Sequence, residues 1–306
     1  MLLAGASGFG AYAYARPTDL YRRALGAQLR LRGLRPARAR LPGAVVAYWT
    51  GGNGAPVVFV HGFGTEAVVN WAAQLGPARR HFRVLAPDLP GFGRSQRVVG
   101  EATIALQVAC LRDLLDHLGL RRASVVGHSM GGWISLAFAV AHPERVDRLV
   151  VVDAAGLRFD PDLTLQRVLL PETAADVAGL IAANFQRPPW LPRFVLRDVL
   201  RTCRREVETR TEILRQLVYG NEFVDDALAR ITAPTLVVWG RSDVITPLAV
   251  GQRLAAGIPN AELVVFDDCA HSPNVERPRR FNALVFEFLR GIADAPPAFA
   301  PVAASA

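Results

Sequence analysis

The 306-residue sequence predicts an α/β fold in which a mostly parallel central sheet is flanked by helices and carries an inserted helical cap. Short apolar runs alternate with longer helical stretches along the chain, which is the pattern of βα units. The alternation stops between Ala154 and Thr232, where no strand pattern appears and prolines interrupt the helical pieces. A Gly-x-Ser-x-Gly motif lies between a strand pattern and a helix pattern, at residues 127–131.

Seven apolar runs predict the strands, and four longer stretches between them predict the helices. The runs are short and rich in Val, Leu and Phe, which is typical of strands buried in a parallel sheet. The predicted strands are Ala44–Tyr48, Val57–Val60, Arg83–Ala86, Ser124–Val126, Arg148–Asp153, Thr235–Trp239 and Glu262–Phe266. The predicted helices are about Glu101–Leu118, Gly131–Ala141, Pro247–Ala256 and Pro278–Arg290.

These patterns divide the chain into four parts. Residues 41–154 and 232–291 form the predicted α/β core, and residues 155–231 form the helical cap between its two halves. Residues 1–40 are an apolar and then arginine-rich N-terminal segment, and the Pro- and Ala-rich residues 292–306 predict a disordered tail. A chain of this length that is 51% hydrophobic can bury one large core.

The charge and the cysteines exclude several classes of function. All 35 basic residues are arginine, and residues 16–40 hold eight of them against one acid, Asp19, so the rest of the chain is nearly neutral. No nucleic-acid-binding motif accompanies the basic segment, and no nucleic-acid partner is expected. Cys110, Cys203 and Cys269 are an odd number with no C-x-x-C spacing, which disfavours a disulfide framework or a zinc site and predicts a reducing compartment. We expect no metal and no cofactor.

The N-terminal segment leaves three interpretations open. Residues 1–15 carry no charge, and they could be a signal peptide, although no basic residues precede them. They could be a membrane anchor, although a span needs about 17–25 residues, or the end of a longer anchor. Arginines directly after an apolar stretch favour the cytoplasmic face of a membrane. We therefore predict a cytoplasmic protein that contacts a membrane surface through residues 1–40 and the cap, with an unstructured arm as the alternative.

The motif at residues 127–131 predicts a nucleophilic serine. In a strand–turn–helix context, Gly-x-Ser-x-Gly forms a sharp turn that holds the serine hydroxyl at the edge of the sheet. Gly127 and Gly131 flank Ser129 because a Cβ at either position would collide with the neighbouring strand or helix. Ser129 is therefore the candidate nucleophile.

A serine needs a histidine base, and the histidine needs a carboxylate to orient it. In a sheet of this kind the chain order is Ser, then Asp or Glu, then His. Asp243 follows the strand Thr235–Trp239, and His271 follows the strand Glu262–Phe266, so both lie past strand ends where catalytic groups collect. Asp153, at the end of the preceding strand, remains the alternative acid.

The oxyanion of an acyl-transfer intermediate needs two backbone N–H donors. The N–H of Met130, directly after the nucleophile, is one candidate, and Phe63 in the loop after Val57–Val60 is the other. Gly62, His128 and Trp190 are candidate substrate-binding residues, since the first two lie beside these donors and Trp190 lies in the predicted cap.

Over about residues 44–291 these elements resemble the α/β-hydrolase superfamily. The resemblance rests on the loop His61–Gly64, the turn Asp88–Ser95, the elbow Gly127–Gly132, and the positions of Asp243 and His271. It implies a Ser-His-Asp triad and an acyl-enzyme intermediate.

Three further stretches resemble monoacylglycerol lipases and bacterial lipases or esterases within that superfamily. They are Tyr21–Gln28, Asp153–Leu157, and the histidine loop that continues through Ser272 and Val275–Pro278. This resemblance implies a serine hydrolase of carboxylic esters with a lipid-like substrate such as a monoacylglycerol.

Two other functions remain as alternatives. Hydrolases of ring-cleavage products break C–C bonds with the same triad and a cap, but they often carry Trp after the histidine, where this chain has Ser272. A non-catalytic binding protein on the same fold is disfavoured because every element of the triad and the oxyanion hole is present. Epoxide hydrolases and haloalkane dehalogenases are excluded because they carry a carboxylate where this chain has Ser129.

Overall fold

The computed structural model describes Tyr12 and residues 14–96, 102–159 and 169–291. These residues form an eight-stranded sheet with the order β1-β2-β4-β3-β5-β6-β7-β8. The strands are β1 (Arg35–Leu41), β2 (Ala44–Gly51), β3 (Ala55–Val60), β4 (Phe82–Pro87), β5 (Ala123–His128), β6 (Val146–Val152), β7 (Thr235–Gly240) and β8 (Ala261–Phe266). The predicted α/β fold with a mostly parallel sheet is confirmed.

The sheet is parallel except at one end, where β2 pairs antiparallel with both β1 and β4. Strands β3, β4, β5, β6, β7 and β8 run in the same direction, so their carboxyl ends meet at one edge. Every residue of β5 and β7 is buried, because helices cover both faces of the sheet. Continuous apolar strands of this kind are what the sequence pattern indicated.

Helices connect and cover the strands. They are α1 (Pro17–Leu31), α2 (Ala67–Asn70), α3 (Ala72–Ala78), α4 (Ile104–His117), α5 (Met130–Ala141), α6 (Ala174–Asn184), α7 (Arg193–Arg205), α8 (Val207–Tyr219), α9 (Leu248–Gly257), α10 (Pro273–Glu276) and α11 (Pro278–Arg290), with short 3₁₀ helices at Pro143–Arg145 and Asp225–Arg230. Helices α6, α7 and α8 form an insertion between β6 and β7, within the range predicted for a cap.

The arginine-rich segment is part of the folded structure, which the sequence analysis did not predict. Its first half forms α1, whose Leu29 is 1% exposed. Its second half forms β1, which pairs with β2 from Arg35 opposite Thr50 to Leu41 opposite Ala44. The sheet therefore begins within residues 1–40, which the sequence analysis had placed before the core.

The ends of the chain lie outside the described residues. These include residues 1–11 of the predicted apolar segment and the predicted tail, residues 292–306. Within the part of the chain that the structure describes, no helix is both long enough and apolar enough to cross a membrane.

Candidate active site

Ser129 lies in the sharp turn between β5 and α5, at the carboxyl edge of the sheet. Its backbone has φ 54° and ψ −120°, a strained conformation that is rare outside glycine. A Cβ on Gly127 would lie 2.3 Å from the Gly131 carbonyl oxygen, and a Cβ on Gly131 would lie 2.3 Å from the Val60 carbonyl oxygen. The two glycines are therefore required by close packing, as the sequence predicted.

His271 and Asp243 form a buried pair at the same edge. The Nδ1 atom of His271 lies 2.8 Å from Oδ2 of Asp243, and the two residues are 3% and 6% exposed. Since a carboxylate only accepts hydrogen bonds, Nδ1 carries the proton and Nε2 is left as a base. This is the arrangement that a serine hydroxyl needs from its histidine.

Asp243 is held by three further donors on the short loop after β7. Its Oδ1 accepts hydrogen bonds from the backbone N–H groups of Ile245 (2.8 Å) and Thr246 (3.0 Å), and its Oδ2 accepts one from the Thr246 hydroxyl (2.7 Å). Burial alone would raise the pKa of Asp243, but the charge of His271 and these hydrogen bonds lower the pKa below its usual value. Asp243 is therefore ionised.

The sequence analysis missed Thr246. The available signal is a hydroxyl residue three positions after an aspartate in a loop. Such a hydroxyl commonly donates a hydrogen bond to the aspartate carboxylate.

The two candidate oxyanion donors, Met130 and Phe63, belong to segments that lie next to Ser129. Met130 is the first residue of α5, so its N–H has no partner within the helix. Phe63 belongs to the loop after β3, and this loop approaches closely, since a Cβ on Gly62 would lie 3.2 Å from the Ser129 Cβ. The structure thus brings together Ser129, Met130, Gly62 and Phe63.

A buried arginine from the insertion holds the Phe63 loop. The Arg210 guanidinium donates a hydrogen bond to the Gly64 carbonyl (3.0 Å) and lies 5.2 Å from the centre of the Phe63 ring. Its charge is paired with Glu206, at 3.1 Å. Nothing in the sequence pattern indicated this contact, because it joins positions 146 residues apart.

Comparison with known proteins agrees with this geometry. The family model described as the alpha/beta hydrolase fold matches residues 55–278. The chain belongs to the α/β-hydrolase family. The hydrolase is 36% identical, over 254 residues, to the 2-hydroxy-6-oxo-2,4-heptadienoate hydrolase of Pseudomonas putida, covering 78% of this chain and 90% of that protein.

Two solved structures are also similar to the hydrolase. A membrane phospholipase A, a bacterial virulence factor, has a TM-score of 0.83 and 26% identity, covering 96% of this chain and 97% of that one. A meta-cleavage product hydrolase of Pseudomonas fluorescens has a TM-score of 0.77 and 28% identity, covering 84% and 98%. Together, the relatives support the C–C hydrolase alternative better than the ester hydrolase that the sequence favoured, although a lipid hydrolase is also among them.

His128 lies inside the hydrolase, and its ring is hydrogen-bonded to Asn70, at the end of α2, and to the backbone of His271. Its Nε2 lies 2.7 Å from the His271 carbonyl oxygen, and its Nδ1 lies 3.2 Å from the Asn70 side-chain nitrogen. Since a carbonyl only accepts, we assign the proton to Nε2. Asn70 in turn accepts the Gly62 N–H at 2.7 Å. Burial, with the charge of His271, lowers the pKa of His128 to about 3, so the ring stays neutral.

A small cavity lies beside Ser129, with about 40 Å³ open to the centres of water-sized spheres. Leu169, Ile213 and Leu214 contribute to its wall from the insertion. Its described lining is Phe63, Ser129, Met130, Trp133, Ala155, Phe159, Leu169, Ile213, Leu214, Ile245 and Thr246. All three predicted substrate-binding residues are absent from this lining: Gly62 and His128 lie beside it, whereas Trp190 is 83% exposed.

Within the described residues, neither a group of possible metal ligands nor a buried thiol adds a second reactive site. Donor atoms of Asp153, Asp243 and His271 lie within 4.8 Å of one another, but those of Asp243 and His271 bond to each other. This suits proton transfer rather than metal binding. Burial, with Glu276 and Asp268 nearby, raises the pKa of the Cys269 thiol to about 12, so it remains protonated and is a poor nucleophile.

Proposed function

We propose that this hydrolase cleaves carboxylic esters with an apolar, lipid-like acyl group. The observation that carries the proposal is the cavity beside Ser129. Apart from Ser129 and Thr246, every described side chain that lines it is apolar. An acyl chain would bury its methylene groups there, each contributing about 0.8 kcal/mol.

The geometry supports catalysis through an acyl-enzyme. Ser129 Oγ would attack the ester carbonyl while His271 Nε2 takes its proton, and Asp243 would stabilise the resulting imidazolium. The N–H groups of Phe63 and Met130 would bind the oxyanion. His271 would then protonate the leaving alcohol, and a water activated by the same nitrogen would release the acid. No cofactor or metal takes part in this scheme.

The insertion would act as a cap over the cavity. Leu169, Ile213 and Leu214 close its wall, so the acyl group would enter between the insertion and the sheet edge. Movement of this cap would control access to Ser129.

A C–C hydrolase is the second candidate, and the 36% identity to a dienoate hydrolase favours it. A dienoate carries a carboxylate, and a buried carboxylate needs a cation or several donors. In the described lining the polar side chains are two hydroxyls, of Ser129 and Thr246, and no cation is present. Arg210 lies near the cavity wall, but Glu206 neutralises it.

One set of kinetic measurements separates the two candidates. We would compare kcat/KM for nitrophenyl esters of increasing chain length with kcat/KM for 2-hydroxy-6-oxohepta-2,4-dienoate, using Ser129→Ala as the inactive control. The proposal expects kcat/KM to rise with acyl length and to exceed the value for the dienoate. A higher kcat/KM for the dienoate would favour C–C cleavage.

We also propose that the start of α1 and the segment before α7 contact a membrane surface on the cytoplasmic side. Tyr14, which is 65% exposed, stacks on Phe194 at 4.9 Å, and Trp190 lies on the segment leading into α7. Exposed aromatic residues beside arginines are typical of membrane interfaces.

Point substitutions test the membrane proposal better than a deletion of residues 1–40, which would remove β1. Trp190→Ala with Tyr14→Ala should weaken binding to anionic liposomes at low salt and leave hydrolysis of a soluble short-chain ester unchanged. Leu31→Ala, at the far end of α1 and 90% exposed, is the control. Equal liposome binding by all variants would contradict the proposal.

A further inference from the structure

The buried carboxyl groups of Asp153 and Asp243 lie close together beside His271. Asp153 follows β6 and is fully buried, and one of its carboxyl oxygens, one of those of Asp243 and one ring nitrogen of His271 lie within 4.8 Å of one another. Two carboxylates this close inside a protein do not both ionise, so they share one proton. The question is which of them holds it.

The hydrogen-bond donors around each carboxyl answer the question. Asp243 accepts four hydrogen bonds: from the N–H groups of Ile245 and Thr246, the Thr246 hydroxyl and His271 Nδ1. Asp153 accepts one, from the Gly240 N–H to Oδ1 at 2.8 Å. Donors stabilise a carboxylate over the acid, so the proton belongs on Asp153.

The backbone fixes Asp153 in position. Its φ is 44°, which is uncommon for a residue with a side chain. Its N–H donates to the Val238 carbonyl (3.0 Å), and its carbonyl oxygen lies 3.0 Å from the Thr246 hydroxyl oxygen, whose single proton is donated to Asp243. When both acids are ionised, the buried Oδ2 of Asp153 has no hydrogen-bond partner. A proton on Oδ2 aimed at Asp243 gives that oxygen a partner.

We propose that Asp153 is a neutral positioning residue whose Oδ2–H donates a hydrogen bond to Asp243 and holds it against His271. This rests on the proposed roles of Asp243 and His271 in catalysis. In the sequence analysis Asp153 was the alternative acid that would pair directly with His271. Here Asp153 does not bond to His271 but orients Asp243, which does.

The surroundings agree with a proton on Asp153. Burial, followed by the charge of Asp243, raises the pKa of Asp153 well above its usual value. The other titratable groups that face it are His271, Cys269 and Glu276 on the segment after β8. Cys269 stays a neutral thiol, and Glu276 adds negative charge, which further opposes ionisation of Asp153.

Two substitutions separate the proposed role from simple packing. Asp153→Asn keeps an acceptor for Gly240 and an N–H donor for Asp243, and Asp153→Gly removes the donor; both residue types tolerate a positive φ. We expect Asp153→Asn to retain kcat within a few-fold. Asp153→Gly should lose about tenfold in kcat with KM little changed, because one hydrogen bond to a charged group is lost.

The pH profile of kcat/KM on a short-chain ester tests the charge of Asp153. A neutral Asp153 means that Asp153→Asn leaves the acid limb of this profile at the same pH. If Asp153 were ionised, its removal would take away a negative charge and shift that limb down by about one pH unit or more. Such a shift would overturn the proposal.

An infrared measurement reads the proton without any substrate. At pH 8.5 the wild-type protein should show the carbonyl band of a buried carboxylic acid, and Asp153→Asn should lose it. Glu66→Gln, which changes another buried carboxyl, is the control and should retain the band. Absence of the band from the wild-type protein would overturn the proposal even if ester turnover is normal. Its presence in a protein without ester turnover would refute the proposed substrate alone.

Discussion

Asp243→Asn tests the proposed triad most directly, because the loop after β7 dictates how the new amide must lie. Oδ1 of Asp243 faces two backbone N–H groups, those of Ile245 and Thr246. The amide oxygen must take this position, since an NH₂ group there would face two donors. The amide nitrogen then occupies the Oδ2 position, 2.8 Å from His271 Nδ1, and donates to it.

This donation forces the wrong tautomer on His271. Nδ1 becomes an acceptor, the ring proton moves to Nε2, and Nε2 can no longer take the proton of Ser129. Loss of the base in this way costs about 10⁴ in kcat, which corresponds to about 5.5 kcal/mol. Because Asp243 does not line the cavity, KM should change far less than kcat.

The assay is steady-state hydrolysis of a short-chain nitrophenyl ester, together with the rate of labelling by a fluorophosphonate probe. Both should fall together in Asp243→Asn. Asp267→Asn is the matched control, because Asp267 lies at an exposed ion pair with Arg241 and should leave both rates unchanged. A loss of less than tenfold in Asp243→Asn, or a larger loss in Asp153→Asn, would refute the assignment of Asp243.

Three further predictions follow from the same structure. Ser129→Ala should abolish fluorophosphonate labelling and lower kcat by several orders of magnitude, whereas Ser95→Ala should still be labelled. Arg210→Met should lower kcat by about tenfold, measured on a soluble ester, because the Gly64 carbonyl loses its anchor and the Phe63 N–H its position. Burial, together with the charge of Asp88, raises the pKa of Glu66 to about 7, although Arg22 Nε lies 2.8 Å from its carboxylate. The folded protein therefore loses stability as pH rises from about 4.5 to 7, because the unfolded chain ionises Glu66 more readily. The stability of Glu66→Gln relative to wild type should therefore increase by up to about 3 kcal/mol between pH 4.5 and 8 in urea unfolding, and no change with pH would contradict the shift.

The core of the fold could be predicted because buried parallel strands have a simple sequence pattern. All seven predicted strands coincide with β2 to β8 to within three residues at each end, and the four predicted helices coincide equally well with α4, α5, α9 and α11. Helices cover both faces of the sheet, so its strands are continuous apolar runs that stand out from polar turns.

Strand β1 was missed for a physical reason. It lies at the edge of the sheet, and its residues alternate: Ala39 and Leu41 are buried, whereas Arg38 and Arg40 are exposed. This period of two is a strand signal. The density of arginine in the segment instead indicated a surface for lipid, although arginine is also well suited to the exposed face of an edge strand.

The candidate nucleophile, base and acid could be found from sequence because each follows a strand and their order along the chain is restricted in this fold. Their supports could not be found in this way. Asn70 contacts His128 across 58 positions, and Arg210 contacts Gly64 across 146. Such contacts depend on how loops and the insertion pack in three dimensions, and no local pattern encodes them.

Sequence identity to the relatives and the chemistry of the described cavity lining point to different substrates. Part of the cavity wall comes from the insertion, through Leu169, Ile213 and Leu214. A dienoate that lost about 3 kcal/mol because its carboxylate lacked a cationic partner would bind more than a hundredfold more weakly. An uncharged ester carries no such cost. The apolar side chains in the described part of the cavity wall are therefore the basis for proposing an acyl chain, although the relatives support C–C cleavage better.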